Sequence, residues 1–92
     1  MQLKNWWKFT IEIDQNLEDL FIWKLNYLGI YSYAFSYLPK QNQKRNLIIW
    51  LPQSHWKKTD RDKLEIQIID LLKENNYESI SFIWEFIKKV DW

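Results

Sequence analysis

One glycine, Gly29, and no cysteine stand among the 92 residues of this chain. These two scarcities exclude more chemistry than any motif present. Without cysteine there is no disulfide, no thiolate metal site and no thiol nucleophile. Zinc sites assembled from histidine are excluded too, because His55 is the sole histidine. Loops that cradle nucleotides and nucleotide-derived cofactors use several glycines, which let backbone approach the ligand closely. One glycine cannot write a P-loop or a G-x-G-x-x-G turn, so cofactor binding by those routes is excluded within these residues.

An excess of either charge is also missing. Thirteen Lys and Arg face twelve Asp and Glu, for a net charge of +1. A nucleic-acid-binding domain usually carries a basic surplus, so direct nucleic-acid binding is disfavoured. No stretch approaches the ~20 apolar residues of a membrane span. The opening Met1-Gln2-Leu3-Lys4-Asn5-Trp6-Trp7-Lys8 lacks the apolar run of a signal peptide. The expectation is a cytoplasmic protein with no membrane partner. What the chain does have is apolar mass: 47% hydrophobic and 18% aromatic residues, with seven Trp. That suits one domain over residues 1–92, with one layer of core and no deep cleft.

Periodicity gives the element order. Trp7, Phe9, Ile11 and Ile13 alternate with Lys8, Thr10 and Glu12, as in a strand with one buried face. Asn16 is placed to cap a helix whose stripe is Leu17, Leu20, Phe21, Leu25 and Leu28, ended by Gly29. Ile30 to Leu38 alternates again, and the polar run from Pro39 to Lys44 reads as a hairpin tip. Leu47-Ile48-Ile49-Trp50-Leu51 is apolar on both faces, as a central strand requires, and Pro52 ends it. Residues 53–58 form a polar connection. Thr59 is the expected cap of a second helix with the stripe Leu64, Ile68, Leu71 and Leu72, closed by Asn75-Asn76. A last strand runs from Ile80 to Ile87, with Ile80, Phe82, Trp84 and Phe86 on one face.

The order β-α-β-β-α-β predicts an α+β, ferredoxin-like two-layer sandwich. Right-handed crossovers place both helices on one face of a four-stranded antiparallel sheet, with the first and third strands central. The other sheet face is left open.

Several stretches resemble one family, the N-terminal domain of PrmA, the ribosomal protein L11 methyltransferase. Leu25-Asn26-Tyr27-Leu28-Gly29-Ile30-Tyr31-Ser32-Tyr33 resembles that family's helix end, glycine and following strand. Val90-Asp91-Trp92, after Glu85-Phe86-Ile87-Lys88-Lys89, resembles the acidic–Trp close of the domain. The opening Trp7-Lys8-Phe9-Thr10-Ile11 and the strand end Trp50-Leu51-Pro52 fit as well. The resemblance covers the chain in order and implies a substrate-recognition domain. It further implies ribosomal protein L11 as protein substrate, and a C-terminal methyltransferase domain that binds S-adenosylmethionine and lies outside these residues. No activity is then expected from this chain alone, which holds no catalytic, cofactor-binding or metal residue.

The candidate partner-binding residues fall into two groups. Trp6, Ile48 and Trp50 point to the open sheet face if Trp7 and Ile49 face the helices, and exposed aromatic patches mark partner contacts. Lys40, Lys44 and Arg45 give the hairpin a basic tip, with Lys57-Lys58 a second basic spot. The row Tyr31, Tyr33, Phe35 and Tyr37 reads as core, and Ser54-His55 as solvated loop. An RNA- or protein-binding module unconnected with methylation is the alternative. Lys44 to Leu51 lacks the glycine and spaced aromatics of an RNA-recognition strand. An acylphosphatase-type enzyme needs an anion-cradling loop after the first strand, and Ile13-Asp14-Gln15-Asn16 supplies none.

Overall fold

A computed structural model describes residues 4–38, 41–77 and 80–90. The elements are β1 (Lys4–Asp14), a 3₁₀ turn (Gln15–Leu17), α1 (Glu18–Tyr27), β2 (Tyr33–Leu38), β3 (Gln41–Pro52), α2 (Lys58–Glu74) and β4 (Phe82–Val90). The four strands form one antiparallel sheet in the order β2-β3-β1-β4. This is the ferredoxin-like α+β arrangement, with β1 and β3 central as their apolar patterns require.

The core lies between the helices and one sheet face. Phe9, Ile11 and Ile13 of β1 and Leu47, Ile49 and Leu51 of β3 meet Phe21 and Leu25 of α1 and Leu64, Ile68 and Leu72 of α2. Each is buried, which stabilises by roughly 2 kcal/mol per large side chain. Register fixes the faces, because Phe9 stands opposite Ile49 and Ile11 opposite Leu47. A slip of one residue would turn the whole set into water.

Both helices end in the same way. Gly29, at φ +77°, donates to Asn26 O, and Ile30 N donates to Leu25 O at 2.8 Å. Asn76, at φ +67°, donates to Lys73 O, and Tyr77 N donates to Leu72 O at 3.1 Å. These are Schellman stops, which satisfy carbonyls that the helix leaves without partners.

The boundaries differ from the sequence expectation at several points. Asp14, and not Asn16, opens the first helical segment, accepting from Asn16 N at 2.9 Å. Lys57, and not Thr59, takes the cap position of α2, because Asp60 reaches back to accept from Lys57 N at 3.0 Å. The second strand begins at Tyr33 because Gly29 and Ile30 are used in the helix stop. The last strand runs from Phe82 to Val90, later than expected at both ends. No described helix is long and apolar enough to cross a membrane.

Candidate functional site

The open sheet face is built from the residues that alternate with the core. Three cross-strand rows follow from the register. Ala34, Ile48, Thr10 and Ile83 make one; Trp50, Lys8 and Glu85 the next; Pro52, Trp6 and Ile87 the third. Trp6, Ile48 and Trp50 thus share this face, as their alternation with Trp7 and Ile49 predicted. All three are half-buried, and Ile87 likewise. Ile83 is 55% exposed. Sequence reasoning missed Ile83 and Ile87, although their alternation with Phe82, Trp84 and Phe86 carried the signal. Lys8 stands opposite Glu85, and Glu12 stands opposite Asn46. The face is an apolar band crossed by one cation and one anion.

The basic hairpin tip is not assembled as expected. Lys40 lies outside the described residues. β3 starts at Gln41, and Lys44 stands opposite Asp14 at the far end of β1, so the ladder runs through residues whose polarity reads as loop. Lys44 Nζ lies 5.5 Å from the centre of the Tyr77 ring. Burial and the neighbouring Asp14 carboxylate, which also hydrogen-bonds it, hold the Tyr77 hydroxyl above its ordinary pKa.

Arg45 is a correction in full. It points to the helix side, opposite Ile13 and Tyr37, and is buried. Its Nε lies 2.8 Å from Glu18 Oε1, Nη2 donates to Gln15 Oε1 at 2.9 Å, and Nη1 donates to Lys44 O at 2.9 Å. The guanidinium also sits 4.1 Å from the centre of the Tyr37 ring. A guanidinium engaged on every side ties β3 to the start of α1 and is closed to a partner. The aromatic row is split as well: Tyr33 and Phe35 pack on the core, whereas Tyr31 and Tyr37 are exposed.

Among the described residues the remaining polar features do not converge on a reaction. Lys58 pairs with Asp62 at 3.0 Å in solvent. Ser54 Oγ lies 3.1 Å from His55 Nδ1, both exposed, with no carboxylate in the contact to orient the ring. A cavity of about 330 Å³ is lined by Leu28, Ile30, Trp56 and Leu64 with His55 and Lys63 among its polar residues. No group of three His, Cys, Asp or Glu is placed to hold a metal among the described residues. Gly29 serves as a helix stop, and a Cβ there would meet nothing within 4 Å.

Along all 92 residues the chain is 45% identical to a protein named ribosomal protein L11 methyltransferase from Prochlorococcus marinus strain MIT 9515, of which it covers 31%. A protein of the same name from strain MIT 9215 is 42% identical over 92 residues, with 30% of its length covered. The one from strain MIT 9303 is 33% identical over 87 residues, which are 95% of this chain and 29% of the relative. The chain thus spans about 30% of the length of the curated relatives it matches. The resemblance seen in the sequence holds from end to end. No family model matches the chain, and no solved structure matches it.

Proposed function

We propose that this chain is a single substrate-recognition domain of an S-adenosylmethionine-dependent methyltransferase that modifies ribosomal protein L11. The observation that carries this reading is the similarity of the whole chain to about 30% of proteins bearing that methyltransferase name. The cofactor and the methyl-transfer chemistry then belong to the remaining length of such an enzyme. Within these residues the lone glycine ends a helix.

The surface best suited to the task is the open sheet face. Trp6, Ile48 and Trp50 sit on neighbouring strands of a rigid ladder, so little order has to be gained on binding. Trp is among the residue types that dominate interface energetics when desolvated by a partner. Lys8 and Glu85 across the band supply register and orientation more than affinity. The near-neutral net charge argues against the RNA-binding alternative, which would show affinity falling steeply with salt.

Isothermal titration of the folded chain with purified ribosomal protein L11 tests the reading. Saturable binding with a negative heat-capacity change is expected, since apolar surface is buried. A folded chain that produces no heat and no shift of partner signals at any attainable concentration overturns it.

A further inference from the structure

The cavity of about 330 Å³ opens where the end of α1, the turn after β3 and the first turns of α2 meet. Its apolar wall is Leu28 and Ile30 on either side of Gly29, Leu64 of α2 and the Trp56 indole. Ile30 and Leu64 belong to the core, and Trp56 packs against it. Backbone hydrogen bonds pin these walls. Ile30 N donates to Leu25 O at 2.8 Å, His55 N to Pro52 O at 3.1 Å and Trp56 N to Gln53 O at 3.4 Å. The shape is therefore preformed, which lowers the cost of binding.

The polar groups around the cavity are unequally engaged. Asp60, Lys63 and Gln67 follow one flank of α2 and span about 10 Å along its axis. Asp60, at the N-terminal end, is committed: its Oδ2 accepts from Lys57 N at 3.0 Å, and the helix start offsets its charge. His55, at the rim, has Nδ1 against Ser54 Oγ at 3.1 Å. The side chains of Lys63 and Gln67 have no hydrogen bond or ion pair with the described residues, and neither has the Trp56 indole N–H. Other charges of the first turns are directed elsewhere. Lys58 pairs with Asp62 at 3.0 Å, and the Arg61 guanidinium lies 3.8 Å from the centre of the Trp7 ring. A committed anion beside an unpaired cation and two unpaired N–H donors leaves the cavity short of one acceptor with negative charge.

We propose that this cavity binds a carboxylate carried on an apolar body, either a small organic acid or the C-terminus of a peptide ending in an apolar residue. The body lies on Leu28, Ile30 and Leu64 against the indole. The carboxylate meets Lys63 and Gln67, on the side of Lys63 away from Asp60. A cation on the same body meets repulsion from Lys63 and, in Asp60, a carboxylate already in use. The site belongs to the helix side of the sheet, whereas Trp6, Ile48 and Trp50 stand on the other face. It is therefore independent of partner recognition there.

Nuclear magnetic resonance titration of the isotope-labelled chain with phenylacetate, at constant ionic strength, tests the site. The Trp56 indole N–H and Gln67 side-chain amide signals are expected to shift saturably, with a dissociation constant on the order of 1 mM for so small a ligand. N-acetylphenylalanine separates the two sources: tighter binding than phenylacetate assigns a peptide C-terminus, and weaker binding a free acid. Phenylacetamide and phenethylamine keep the ring without the anion and should bind about tenfold more weakly. Lys63→Gln, at an exposed position, should weaken phenylacetate by about the same factor. Lys58→Gln, outside the cavity, should leave it unchanged. Asp60→Asn keeps an acceptor for Lys57 N and should bind phenylacetate at least as tightly. The proposal is overturned by phenylacetate that shifts no cavity signal up to about 50 mM, or by an amide or amine that binds as well. Equal effects of Lys63→Gln and Lys58→Gln, or weaker binding by Asp60→Asn, overturn it too.

Discussion

Glu18, in the first turn of α1, sets its Oε1 2.8 Å from Arg45 Nε on β3, and the two side chains are unequally buried: 31% exposed for Glu18 and 10% for Arg45. That inequality decides which partner the fold can lose. Glu18→Gln leaves a guanidinium buried without its carboxylate and removes a favourable charge from the helix start. A loss of about 3 kcal/mol is expected. Arg45→Met keeps the buried stem and leaves a carboxylate that water can reach, so about 1 kcal/mol is expected. Urea unfolding of both variants checks the order; equal losses, or a larger one for Arg45→Met, would refute it.

The same pair shows what the sequence made legible. Strict alternation in Trp7 to Ile13 and the two-sided apolar run Leu47 to Leu51 identify the central strands, because burial on a pleated sheet imposes those patterns. Trp6, Ile48 and Trp50 follow from that alternation. Arg45 does not, because its partners Gln15, Glu18 and Tyr37 come from other elements, and a basic residue beside Lys44 carries no local sign of burial. Gln41 and Lys44 pair in β3 although their polarity reads as loop, since strand ends are fixed by the length of the neighbour. Ile30 reads as strand and serves as the closing contact of a helix stop.

Gly29 is held at φ +77° with open space where a Cβ would sit. Substitution therefore costs backbone strain and no steric clash. Gly29→Ala is expected to destabilise by about 1 kcal/mol. Gly29→Asn should cost only a few tenths, because asparagine tolerates the left-handed region, as Asn76 does at the end of α2. Thermal unfolding of the two variants distinguishes them, and a larger loss for Asn than for Ala would point to a packing role.

Tyr77 yields a pH dependence with a defined sign. Burial first, then the charge of Asp14 and its hydrogen bond, raise the hydroxyl pKa above the ordinary 10.0. The native state therefore holds this proton more tightly than the unfolded chain. The resulting stability is complete below the unfolded pKa and is lost as pH rises through the folded one. Tyr77→Phe removes the group, so the stability gap between wild type and variant should narrow as pH climbs through and past 10.0. Chemical unfolding over that alkaline range, with phenolate absorbance to follow ionisation, checks it. A gap that stays constant or widens with pH contradicts the assigned shift.

Trp50 tests the open face as the recognition surface. It stands opposite Lys8, is half-buried, and points away from the core residues Ile49 and Leu51 that flank it in sequence. Trp50→Ala should therefore cost about 1 kcal/mol of stability, less than a core truncation. If ribosomal protein L11 covers this face, the indole becomes fully desolvated in the complex. Its removal should then weaken binding by about 2 kcal/mol, or roughly thirtyfold. Tyr31→Ala removes an exposed aromatic that lies outside the three cross-strand rows, and should leave the affinity unchanged. Titration calorimetry on the two variants separates a binding role from general loss of aromatic surface. Equal weakening by both, or weakening by Tyr31→Ala alone, would overturn the open sheet face as the recognition surface.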